Sequence, residues 1–186
     1  IAMFTSEQSY IMSRVPVRNA ENLKGMKLRA VSTGVPVLKA LGAAPVGMPM
    51  PDVPQAVQTA VIDGLMTGRD VLKDFKLAGL LKYVTDYPNV VVTFAAVMDR
   101  KRWDRLPSDV QKTIEDLAPE MAIWTGHLLD HEVIKDTLEW SRKEEGLQIV
   151  SLDAGERARW DAKLKPLEDE WIAQMTEKGL PAKQYM

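Results

Sequence analysis

Arg29 lies at the end of the run Leu23-Lys24-Gly25-Met26-Lys27-Leu28-Arg29. A cation fixed at the end of a short buried strand is a means of holding a carboxylate. The planar guanidinium fork matches two carboxylate oxygens at once. A second punctuated run, Ala60-Val61-Ile62-Asp63-Gly64-Leu65-Met66-Thr67-Gly68, sets the Thr67 hydroxyl at the end of another short apolar segment. Together the runs point to a small organic anion held between strand ends. The competing reading of Arg29 is a surface ion pair with Asp52 or Asp63. Around it, Met50 reads as an apolar wall. Ser32 offers a hydroxyl that could meet a ligand or, like Thr33, cap the following helix. Phe94, on a later strand, could face the same cleft.

Other chemistry is thinly represented. His127 and His131 have the i, i+4 spacing of a helical metal pair, but only Asp130 and Glu132 stand in sequence reach as further ligands. They read as residues on the solvated side of a long helix, and no metal is expected. The acidic runs Glu144-Glu145 and Glu168-Asp169-Glu170 read as solvated helix faces. No Gly-x-Ser-x-Gly, phosphate loop, nucleotide fingerprint or defensible Ser-His-Asp spacing occurs. The expectation is a binding protein with no cofactor, and not an enzyme. A sensor domain and a small α/β enzyme remain the alternatives.

The elements that must position these residues follow from punctuation and periodicity. Residues 1–24 read as an extended lead-in. Gly25 turns into a strand over 26–31, and a helix over Val35–Leu41 follows, closed by Gly42. Pro45–Met50 reads as a second strand. Asp52 is placed to cap a helix over Val53–Ile62, with Pro54 in its first turn. Leu65–Thr67 is a third strand. This order implies parallel strands in an open α/β sheet, with ligands beyond the carboxyl ends of the strands. Asp70–Leu81 reads as a short helix or pair of turns. The apolar stretch Asn89–Met98 reads as a long strand buried on both faces. A helix could run from Leu106-Pro107-Ser108-Asp109 to Gly146, with a kink at Pro119. Leu147–Leu152 reads as a strand. Gly155–Lys178 reads as a terminal helix that Pro166 breaks or bends.

Composition bounds the rest. The 186 residues suffice for one domain or two small lobes. The 24 basic and 26 acidic residues give a net charge of −2, and the basic ones are dispersed, so no nucleic-acid footprint is present. No stretch approaches the ~18 apolar residues of a membrane span. Cysteine is absent, which excludes disulfides and thiolate chemistry and suits an oxidising compartment. Because the chain starts at Ile1, a processed chain or a portion of a longer one is expected.

The order of these pieces resembles the solute-binding proteins of tripartite ATP-independent periplasmic (TRAP) transporters. Four segments carry the resemblance: Leu23–Arg29, Leu41-Gly42-Ala43-Ala44-Pro45-Val46-Gly47-Met48-Pro49, Ala56–Gly64, and the helix start Leu106–Lys112. It implies a two-lobed fold of the periplasmic-binding-protein type II kind, with a long strand and a long helix crossing both lobes. It also implies periplasmic residence, capture of an organic acid and delivery to the TRAP membrane permease subunits. In the family the Arg of the Gly-x-Lys-Leu-Arg segment pairs with the ligand carboxylate, and Arg29 holds that position. On this reading residues 1–92 form mainly the ligand-binding lobe with its hinge lead-in. Residues 93–186 supply the crossing strand, long helix and terminal helices. The departures concern the ligand. Thr67 and Gly68 stand where an amide is frequent, and Met50 where an aromatic is frequent. Asp52 and Pro54 replace a usual Glu and Tyr, and Ser9-Tyr10 stands where some members carry an Arg. Members also begin with roughly one more lobe, so the chain reads as a C-terminal portion.

Overall fold

Two strands open the computed structural model, which describes residues 2–184: β1 (Ala2–Thr5) and β2 (Tyr10–Ser13). The segment expected to be an extended lead-in thus contributes to both sheets, and it ends in a short helix, α1 (Ala20–Leu23). Next come β3 (Lys27–Arg29), α2 (Gly34–Leu41), β4 (Ala44–Val46), α3 (Val53–Gln58), β5 (Gly64–Thr67), α4 (Val71–Asp74) and β6 (Tyr83–Thr85). The strand-helix-strand-helix-strand order across 27–67 is the one the sequence pattern implies.

These strands form a six-stranded sheet in the order β4-β3-β5-β2-β6-β8, where β8 is Gln148–Val150. β3 runs parallel to β4 and β5, and β6 parallel to β8. β2 is antiparallel to both its neighbours, so the sheet is mixed and not wholly parallel as expected. The residues of β2, Tyr10-Ile11-Met12-Ser13, account for its central place. Ile11 enters one apolar layer and Met12 the other, which suits a central strand with both faces covered. On one side Leu28, Leu38, Leu41 and Met66 pack with Trp160. On the other, Leu65 and Val84 pack with Val53, Val57, Leu72 and Leu81. The result is a mixed α/β body with helices on both faces.

Several boundaries fall short of expectation. α3 stops at Gln58, where Ala60 takes a left-handed φ of 58°. Of the short helix or pair of turns expected over 70–81, the helical part is one turn, α4. Neither Thr33 nor Asp52 makes a side-chain cap bond. Gly42 closes α2 with φ 96° and donates to the carbonyls of Leu38 and Lys39, a left-handed cap that a Cβ would strain.

The largest correction concerns 89–98. Only β7 (Thr93–Ala96) is strand, and all four of its residues are exposed. It pairs antiparallel with β1, Phe4 opposite Phe94, as a separate two-stranded ribbon. A lone ribbon has two faces to cover, and α6 (Ser108–Leu128) packs against β1. A short helix, α5 (Arg100–Trp103), links β7 to α6. The long helix is continuous from Ser108 to Glu145. It passes through Pro119, takes a π-helical pattern over Leu129–Val133, and continues as α7 (Ile134–Glu145). At ~1.5 Å per residue this is about 57 Å. Gly146, φ 68°, ends it. The terminal helix α8 (Ala154–Glu177) runs through Pro166 unbroken.

Candidate functional site

The carboxyl ends of β3 and β5 and the amino end of β2 meet at one edge of the sheet. Arg29 ends β3, its Cα opposite Val46 and Leu65. It is 8% exposed, and its Nε donates to the Met48 carbonyl at 3.1 Å. The alternative reading fails on geometry. Asp63 lies at the other end of β5's approach and accepts from the Lys27 amide at 2.8 Å. No ion pair joins Arg29 to Asp52, Asp63 or any other acid among the described residues. Burial pushes the guanidinium below its ordinary pKa, because charge in a desolvated place is disfavoured. A buried guanidinium with donors to spare is suited to an incoming carboxylate.

Thr67 ends β5 opposite Tyr10 of β2, at the same edge. Met48 and Met50 follow β4. Met50 begins a 3₁₀ turn, and both pack half-buried against the core with Tyr10 and Val46. Ser32 is exposed in the turn after β3. Phe94 lies elsewhere, on β7, stacked on Phe4 with ring centroids 5.4 Å apart. The edge therefore gathers Arg29, Thr67 and the methionines, and Phe94 belongs to the ribbon.

A cluster that sequence reasoning missed completes the edge. Arg69, just past β5, donates from its amide to Glu7 Oε2 and from its Nε to Glu7 Oε1, each at 2.8 Å. Its second guanidinium nitrogen also donates to Glu7. The guanidinium lies 4.0 Å from the Tyr10 ring centroid, a cation–π stack. Glu7 is 8% exposed. Burial raises the pKa of the neighbouring Asp70, and the charges of Asp74 and Glu7 raise it further. Burial likewise raises the Tyr10 phenol, which Arg69 partly opposes. The signal available was the Arg-Asp pair beside Gly68. Its partner Glu7 stands too far away in sequence to be inferred.

A cleft of about 1020 Å³ opens between residues 87–91 and α8. Tyr87, Asn89, Asp161, Leu164, Glu168 and Trp171 line it, and none of Arg29, Met50 and Thr67 does. Its one cation, Lys165, is already paired with Glu168 and Asp169. An acid-rimmed cleft repels anions, so the strand-end edge is the better place for a carboxylate. His127 and His131 stack with ring centroids 4.5 Å apart. Among the described residues no three His, Asp or Glu side chains form a metal-holding group, and no helix is long and apolar enough to cross a membrane.

The family model of the bacterial extracellular solute-binding protein, family 7 (DctP), matches residues 4–174. The chain belongs to that family. It is 27% identical over 172 residues to the C4-dicarboxylate-binding periplasmic protein DctP of Rhodobacter capsulatus, covering 91% of this chain and 51% of that protein. A TRAP periplasmic solute-binding protein of Desulfovibrio salexigens, crystallised in an open complex, superposes with TM-score 0.79 at 36% identity, over 98% of this chain and 57% of that one. A marine-metagenome TRAP protein specific for aromatic acid ligands, bound to 3-hydroxybenzoate, gives 0.86 at 28% identity, over 98% and 59%. The chain thus spans about half the length of the DctP relative. The family and these neighbours are solute-binding proteins, not enzymes.

Proposed function

We propose that this DctP-family chain forms the carboxylate-holding part of a periplasmic solute-binding protein that delivers a small organic acid to a TRAP-type permease. The observation that carries the reading is Arg29: buried, at the carboxyl end of β3, with no acidic partner among the described residues. In a closed cleft its fork would anchor one carboxylate, with Thr67 as a neighbouring hydroxyl and Met48 and Met50 as apolar wall. Residues 1–92 carry this site. Residues 93–186 supply the mechanical frame, since the 108–145 helix is longer than the sheet body is wide. Relatives support a carboxylate: the Rhodobacter protein is named for C4-dicarboxylates and the metagenome protein for aromatic acids. Native mass spectrometry of the complete protein as purified tests the reading. A bound small acid is expected. A protein that emerges empty and shows no heat of binding with any of a panel of mono- and dicarboxylates would refute it.

A further inference from the structure

Among the described residues, Arg29 and Arg69 stand at the strand-end edge, and Arg69 is already paired with an acid. Arg29 has a single hydrogen bond, to a carbonyl. Arg69 is engaged by Glu7 through its backbone amide and the Nε–Nη2 edge of its guanidinium, and is stacked on Tyr10. A ligand that recruited Arg69 would have to displace Glu7 and leave a buried carboxylate unpaired, which is strongly unfavourable. A ligand carboxylate placed on that side would also meet Asp70, whose Oδ1 crowds Gly68. Met48, whose carbonyl accepts from Arg29, and Met50 offer no charge.

We propose that this site takes a monocarboxylate whose remaining body is uncharged, and discriminates against dicarboxylates, because Glu7 cancels Arg69 and leaves Arg29 as the cation without an acidic partner among the described residues of the edge. Arg69 is then a specificity-determining residue held out of use, and Glu7 is the residue that holds it. This rests on the carboxylate-binding reading of Arg29. It sets the chain apart from the Rhodobacter relative named for C4-dicarboxylates.

Equilibrium calorimetry on the complete protein that carries this chain, near neutral pH, compares butyrate with succinate and 4-methylbenzoate with terephthalate. Each pair matches in carbon skeleton and differs in one charge. The monocarboxylate of at least one pair should bind at least about tenfold more tightly than its partner, because a second charge meets like charge there. Tighter binding of both dicarboxylates overturns the inference and leaves the carboxylate-binding reading standing. Binding of none of the four overturns both. Glu7→Gln then tests the cause, since it removes the charge and keeps an acceptor oxygen for Arg69. The preference should narrow by about tenfold as Arg69 becomes available. An unchanged preference in a folded Glu7→Gln protein overturns the role given to Glu7. The comparison on the unmodified protein stands even if that variant fails to fold.

Discussion

Arg29 and Arg69 have the same side chain at the same edge, and their partners make them opposites. If Arg29 serves a ligand, Arg29→Ala should weaken acid binding by at least about tenfold, since a charge-assisted pair contributes roughly 1.5–3 kcal/mol and one decade is about 1.4 kcal/mol. Arg29→Lys should restore only part, because an ammonium cannot present the fork. Folding stability should fall by only about 1 kcal/mol, the net value of the bond to Met48. Calorimetry alongside thermal melting checks both; undiminished affinity with a large drop in melting temperature would make Arg29 a structural residue. That Arg29 and Thr67 end strands was legible because each closes a short apolar run that is punctuated locally. The pair Glu7–Arg69 was not, because its partners lie 62 residues apart and meet only through the pairing of β2 with β5. Ser32 and Thr33 looked like caps by residue type, yet Thr33 sits in helical geometry at the start of α2 without a side-chain cap bond.

Between elements, two contacts decide how the sheet and its helices close. Asp153 caps α8 by accepting from the Glu156 amide at 2.8 Å. Glu156 reaches across to accept from the Ala20 amide at 2.6 Å and the Trp160 indole at 2.9 Å. Glu156→Ala leaves both buried donors without that acceptor and should cost roughly 2–3 kcal/mol, read as a lower urea midpoint. The Ala20 amide, first, and then Arg159 and Trp160 hold the Glu156 carboxyl below its ordinary 4.5. A lowered folded pKa means the unfolded chain takes the proton first. The stabilisation is therefore present above that ordinary value and is lost as pH falls through the lower folded one. The gap between wild type and Glu156→Ala should narrow on acidification; a gap independent of pH would show that Glu156 acts by packing alone. Gly64 is the second contact. A Cβ there would come within 2.9 Å of the Ser13 Cα and closer still to the Met12 carbonyl, all of it backbone. Gly64→Ala should push β5 from β2 and cost upwards of about 2 kcal/mol by urea denaturation. Of the elements, those bracketed by Gly or Pro were legible: α2, β5, the long helix. β2 was not, because four residues in an apparent lead-in carry too short a pattern to show that both faces are covered.

At the scale of the molecule, what the sequence could not show is what covers each apolar face. Asn-Val-Val-Val-Thr-Phe-Ala-Ala-Val-Met reads as a doubly buried strand on composition alone, yet β7 is exposed throughout and Val97 is 81% exposed. The long helix raises the same question. Val110, Ile114, Leu117, Met121 and Trp124 recur at helical spacing, the pattern of a helix with a core to face. Leu117, Met121 and Trp124 are nevertheless 46%, 43% and 54% exposed. A stripe that patterns as core and stands in water is an apolar surface suited to burial against a partner. Alone in solution, the 186-residue chain should therefore bury it against another copy. Sedimentation velocity should show a weight that rises with concentration. Leu117→Glu with Trp124→Glu should return the chain to a monomer. It should leave the melting temperature nearly unchanged, since neither residue belongs to the two core clusters that flank the sheet. A chain that is monomeric at every concentration would mean that the stripe is tolerated in water, and that the 108–145 helix needs nothing laid against it to serve as a frame.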